Sequence, residues 1–133
     1  MDLKSADMDT PLFSFDGQTV MAKVVKVIDG DSLHVVFDVS DKLYRFVCRV
    51  KGVDTPEKTS RVPSEREKAL LAKETVTNML IGKIVEVKLG EFEKYGRLLI
   101  ELDVPGQAGT SLSEYLISKN LGRAYDGGHK VEW

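Results

Sequence analysis

A single cysteine, Cys48, stands among 133 residues, so no disulfide can form within the chain. Its stability must come from packing, and a reducing compartment is the natural setting. No apolar run approaches the roughly 20 residues that a membrane-spanning helix needs. The opening Met1-Asp2-Leu3-Lys4-Ser5-Ala6-Asp7-Met8 has neither a basic start nor an apolar core, so as written it is not a secretory signal. A cytoplasmic or otherwise intracellular protein is expected, with export left open if a signal is missing. Repeats and low-complexity tracts are absent as well. Neither histidine, His34 or His129, belongs to a paired constellation, and no Cys or His stands at metal-binding spacing. Both histidines therefore read as structural or solvent-facing.

Excess positive charge is also missing. Nineteen Lys and Arg against 21 Asp and Glu give a net charge of −2 and a pI near 5.7. This excludes a protein that simply holds nucleic acid on a broad basic surface. The deficit is concentrated at the start: residues 1–20 carry Lys4 against Asp2, Asp7, Asp9 and Asp16, a balance of −3, which leaves +1 for the remainder. A near-neutral body can still engage phosphate through a few placed arginines.

What is present is one domain's worth of ordinary globular sequence, 42% hydrophobic and 30% charged. Residues 1–17 are polar and irregular and read as a flexible arm, followed by a single domain over 18–133. Strands are expected at 19–28, at 32–38 and at 44–53. In the last of these Tyr44, Phe46, Cys48 and Val50 share the core face, with Arg45, Val47, Arg49 and Lys51 on the other. A helix opens at Pro63, with Ser64 and Glu67 at capping-box spacing; Ala69, Ala72, Val76, Met79 and Leu80 mark its inner face, and Gly82 ends it. Two further strands, 84–89 and 97–104, precede a second capping box, Ser111-Leu112-Ser113-Glu114, and a short helix. The tail holds a turn at Tyr125-Asp126-Gly127-Gly128 and Trp133, a possible anchor. This order is that of a small α+β domain, and a five-stranded OB-type barrel capped by two or three helices closes it most economically.

Two stretches carry chemistry. Arg49-Val50-Lys51-Gly52-Val53-Asp54-Thr55-Pro56-Glu57 and the turn Asp29-Gly30-Asp31 place one arginine and four carboxylates, Asp29, Asp31, Asp54 and Glu57, at the ends of expected strands. Taken singly, each is an ordinary turn or strand end. If they converge, the acids repel one another unless a cation lies among them, and an all-oxygen ligand set selects a hard ion, calcium or magnesium. Asp54 and Glu57 flank a sharp exit, because Thr55 precedes a proline and is kept out of helical geometry.

With these residues and the later Lys94-Tyr95-Gly96-Arg97 in view, the chain resembles the staphylococcal nuclease (thermonuclease) family from about Val20 to Tyr125. The resemblance implies an OB barrel with helices that hydrolyses DNA and RNA with calcium and leaves a 3′-phosphate. It implies that Asp31 and Asp54 are calcium carboxylates, with the Thr55 carbonyl as a further ligand and Asp29 as an acid behind them. Glu57 is implied to activate or position the attacking water, and Arg49 and Arg97 to grip the phosphate. Tyr95 matches an aromatic that stacks on the nucleotide, Lys94 precedes it in the same turn, and Tyr125 falls near a second family tyrosine. A monomer with a nucleic-acid substrate, no membrane and no obligate protein partner is expected. The alternative is a noncatalytic OB-type module that binds nucleic acid or protein; the acids and arginines present favour the enzyme.

Overall fold

A computed structural model of the chain describes residues 2–128 and 133. Alternation builds the first three strands, β1 (Thr19–Asp29), β2 (Ser32–Val39) and β3 (Lys42–Val50), each antiparallel to the next. Ala22, Val24 and Val27 of β1, Leu33, Val35 and Phe37 of β2, and Cys48 and Val50 of β3 point inward and are buried. Strands β5 (Ile84–Phe92) and β6 (Leu98–Glu101) complete a closed barrel in the order β1-β2-β3-β6-β5, with β3 and β6 parallel. The open sheet edges disappear in this closure. The fold is the expected α+β arrangement, a five-stranded OB-type barrel with two α-helices.

The structure departs from the alternation at one consequential point. The residues expected as one strand, 44–53, divide after Val50, where the Lys51 N–H donates to the Ile100 carbonyl and Gly52 takes a φ of +90°. A left-handed residue turns the chain out of the barrel, which glycine allows without steric cost. The next three residues, Gly52–Asp54, form a separate strand, β4, antiparallel to β7 (Arg123–Tyr125) in the tail. Tyr44, expected in the core, is 47% exposed because the parallel partner β6 reaches only residues 48–50 of β3. Phe46 is partly buried instead, stacked on Phe37 at 4.4 Å, with Phe15 edge-on to both rings. Phe15 and the Gly17 N–H, which donates to the Leu89 carbonyl, tie the end of the N-terminal arm to the barrel.

The first helix, α1 (Pro63–Leu80), lays Ala69, Ala72, Val76 and Leu80 against β1. Its expected capping box does not form. Pro63 occupies the first helical position and forces Val62 to be extended, so Ser64 already lies inside the helix and Val62 is the cap without a side-chain bond. Ser60 takes over locally, its hydroxyl accepting from the Val62 N–H and donating to Glu65. The second helix, α2 (Leu112–Ser118), has the cap expected for it: Ser111 Oγ accepts from the Glu114 N–H at 3.1 Å. Among the described residues no helix is long and apolar enough to cross a membrane.

Cys48 sits at the centre of this core with no exposed surface, and burial pushes its thiol up to about 12. Thiolate, the reactive form, is therefore scarce at neutral pH in the folded chain. Maleimide labelling of Cys48 at pH 7 should be slow and should accelerate by orders of magnitude across the unfolding transition. Rapid labelling of the native protein would show that this face of β3 opens locally.

Candidate active site

The site starts from a tight turn. Between β1 and β2, Gly30 lies so close to two neighbours that a Cβ there would stand 2.9 Å from Thr55 Cγ2 and 3.0 Å from Ala72 Cβ. The turn is clasped between α1 and the segment leaving β4. This contact brings together distant parts of the chain, and the Thr55 N–H donates to Asp31 Oδ2, 24 residues earlier, at 3.3 Å. Asp29, on the other side of Gly30, pairs instead with Lys58 at 3.4 Å.

Arg49 occupies the outward face of β3, as alternation requires, yet it is only 6% exposed. The turn of the chain into β4 folds Asp54 and the tail over it. One guanidinium nitrogen lies 3.6 Å from Asp31 Oδ2 and donates to the Val53 carbonyl at 3.2 Å; the other lies 3.5 Å from Asp54 Oδ1. The Tyr125 ring covers the group at 4.9 Å from the guanidinium carbon. Tyr125 thus enters the site through β7, a strand the sequence did not reveal.

Across the cleft, Arg97 is held from below. Its Nε and one terminal nitrogen donate to both carboxylate oxygens of Glu93 at 2.6 and 3.1 Å, and the other nitrogen reaches Ser32 Oγ at 3.3 Å. Such a paired fork is among the strongest side-chain contacts available. The hydrogen bonds from Arg97 hold the Glu93 carboxyl below its usual range, and the same bond pushes Arg97 further up. Neither Glu93 nor Ser32 was singled out in the sequence. The available signal was the four-residue spacing of Glu93 and Arg97 about a turn at Gly96, where the Glu93 N–H donates to the Arg97 carbonyl. Lys94 and Tyr95 project from the tip of that turn, Tyr95 being 81% exposed.

One cleft of about 870 Å³ is lined by Asp29, Asp31, Arg49, Asp54, Thr55, Glu57, Lys94, Tyr95, Arg97 and Tyr125. All ten expected site residues therefore face one cavity. His34 does not line it, and His129 lies outside the described residues.

The acids suit a hard cation in a limited way. Burial pushes the Asp31 carboxyl above the usual aspartate range by more than Arg49 and the Thr55 hydrogen bonds pull it down, and the charge of Asp54 adds to the rise. The guanidinium lies beyond close hydrogen-bond range of both carboxylates, and Asp31 accepts a bond from the Thr55 N–H as well. Among the described residues no three of His, Cys, Asp and Glu converge as a metal cluster. Asp31 and Asp54, both buried and at 3.6 and 3.5 Å from Arg49, are the carboxylates that could hold a cation, an all-oxygen set of the kind hard ions take.

The Glu93 pair has a definite pH signature. A carboxyl depressed in the folded state adds stability above its unfolded value, near 4.5, which is lost as pH falls through the folded one. Between about pH 5 and pH 3 the melting temperature of Glu93→Gln should fall less steeply than that of the unaltered protein. Parallel curves would mean that the fork adds nothing to stability.

The family model described as Staphylococcal nuclease homologue matches residues 47–131. No curated protein matches the chain. The match begins inside β3 and includes Arg49, β4, the Asp54-to-Glu57 segment and the Arg97 turn, while the barrel adds Asp31 from outside it. The chain belongs to the staphylococcal nuclease homologue family.

Proposed function

We propose that the chain is a calcium-dependent nuclease that hydrolyses the phosphodiester backbone of DNA and RNA. The observation that carries this reading is the convergence of Arg49, Asp31 and Asp54 in a cleft that Arg97 also lines. Uncatalysed phosphodiester hydrolysis is so slow that a site must supply on the order of 20 kcal/mol, more than any one group provides. Arg49 is buried and held on several sides, so its planar fork can meet two phosphate oxygens without being reordered. Arg97, partly exposed and anchored on Glu93, offers a second guanidinium to the same group.

Asp31, Asp54 and the Thr55 carbonyl are the residues that would hold the ion. When bound, it supplies Lewis-acid neutralisation of a nonbridging oxygen and orders a water. Glu57, exposed at the cleft wall three residues beyond Asp54, takes or orients the proton of the attacking water. Tyr95 and Tyr125 offer ring faces to the nucleotide, and Lys94 adds charge at the rim. Backbone phosphate rather than base edges is addressed, which supports cutting with little sequence preference. The 3′-phosphate product follows the family resemblance. One chain supplies every named group, which favours action as a monomer.

Labelled single-stranded DNA and plasmid should be cut in calcium, less well in magnesium and not in chelator, with Asp54→Ala inactive. Glu57→Gln should lower turnover by at least about 100-fold while leaving metal binding intact, since general base contributions run from about 10² to 10⁴. Binding of DNA without cutting in either metal would move the chain to the noncatalytic OB-type alternative. Unchanged turnover in Glu57→Gln would remove that residue from the mechanism.

A further inference from the structure

The cleft is lined by more acids than bases, yet the barrel surface beyond it is cationic. Asp29, Ser32 and Arg49 form the cross-strand row at the cleft, Asp29 being paired with Lys58, and the outward face of β1, β2 and β3 continues away from them in two further rows. The first row is Lys26, His34 and Val47, and the second is Lys23, Val36 and Arg45. A β-bulge between Val24 and Lys26 makes the first row possible, because the extra residue keeps both lysines on the outer face while Val24 and Val27 remain inside. Lys23, Lys26 and Arg45 are exposed, and none makes a salt bridge among the described residues. No acidic side chain occupies either row, in a chain whose net charge is −2.

Between these cations, Val36, Val47 and His34 add no charged side chain to either row apart from the imidazole. Val47 is 39% exposed, Val36 is partly exposed, and His34 lies across from Lys26. His34 Nδ1 is shielded from water and has no hydrogen-bond partner, a cost that a native protein seldom carries without use. Desolvation, with Arg45 and Lys26 beside it, holds the ring below the usual imidazole value, so it is a neutral hydrogen-bonding and stacking group. Cations on the two outer strands and an uncharged floor between them make a strip about 10 Å wide, two interstrand spacings of roughly 4.8 Å. From Arg49 to Arg45 the strip is about 13 Å long at roughly 3.3 Å per residue.

We infer that this strip is an extended binding track for single-stranded nucleic acid, in which Lys23, Lys26 and Arg45 take the phosphates beyond the cleavage site and His34 with its neighbouring valines supports the sugars and bases. Its dimensions suit one strand, and its distance from the cleft means that only substrates longer than the cleft itself use it. The inference rests on Arg49 and Arg97 being phosphate ligands, which fixes the strand's starting point. It makes the protein selective for length rather than for sequence, since none of these groups is arranged to read base edges.

The test measures binding in chelator, where no cutting occurs, using fluorescently labelled oligothymidylates of two and of eight nucleotides. In the unaltered protein the longer probe should bind more tightly. In the triple variant Lys23→Gln, Lys26→Gln, Arg45→Gln, shown to be folded by circular dichroism and melting, the advantage of the longer probe should shrink by about 10- to 100-fold at 0.1 M salt. The slope of log K against log salt should flatten by about 2, at roughly 0.7 per single-strand phosphate contact. A length advantage that survives in the folded triple variant, or an equal loss on the two-nucleotide probe, overturns the track. So does a loss seen with a duplex of the same length and not with the single strand. Cleavage in calcium separates the two readings: a protein that never cuts but shows the length effect keeps its track and loses its nuclease assignment, while one that cuts without the length effect does the reverse.

Discussion

The rest of the site depends on the burial of one guanidinium between two carboxylates. Moving charges out of water costs several kcal/mol per ion even after relaxation, and the mutual attraction repays this only with good geometry. Arg49 has partial compensation: two carboxylates at 3.5 and 3.6 Å, a backbone carbonyl at 3.2 Å and a ring face. Asp31 receives less, as the rise of its carboxyl shows. Replacing such a cluster by apolar side chains would commonly be neutral or stabilising. A fold that keeps it has given up stability at the place where reactivity would be of use.

The architecture around Arg49 follows from that constraint. An outward side chain on a barrel strand would ordinarily be solvated, and the departure of the chain at Gly52 is what encloses it. β4 carries Asp54 across one side of the guanidinium, and β7 brings Tyr125 over the other. Arg97 stands in a different environment. Its side chain is 36% exposed, and its fork is already occupied by Glu93. On the proposed reading, a phosphate would meet one desolvated arginine whose donors face a backbone carbonyl and two carboxylates at 3.5 and 3.6 Å, and a more exposed one bound closely by a single carboxylate. Each is held in place by groups that a phosphate resembles.

Much of the fold was legible because period-2 alternation and buried valines are local signals. Strands β1 and β2, the helical face Ala69-Ala72-Val76-Leu80 and the Ser111 cap all follow from neighbours within a few residues. The pair β4 and β7 was not legible. Three residues each, they have no periodicity to read, and each is a strand only because the other lies beside it. The Ser64 capping box misled for a local reason, the overriding geometry of Pro63. Of the residues that line the cleft, Arg49, Asp29, Asp31, Asp54 and Glu57 stood out by their spacing around turns, whereas the parts given to Thr55, Lys94, Tyr95, Arg97 and Tyr125 came from the family resemblance alone. Glu93 escaped because a glutamate in a polar turn carries no mark of its partner, and the fork with Arg97 exists only once the hairpin closes.

Net charge conceals how the charges are used. The acidic excess lies in the first 20 residues, which carry −3, while two adjacent rows of the barrel expose three cations and no acid. A field that steers a polyanion depends on this local arrangement, since at physiological ionic strength charges separated by much more than about 8 Å are largely screened from one another. The arm's aspartates are distant in sequence from Lys26 and Arg45 and cancel them in the total without needing to cancel them at the surface. A low pI is thus compatible with a cationic face, and it has a use. If the chain is the proposed nuclease, attraction confined to one strip would ease product release, whereas uniform positive charge would hold every polyanion equally.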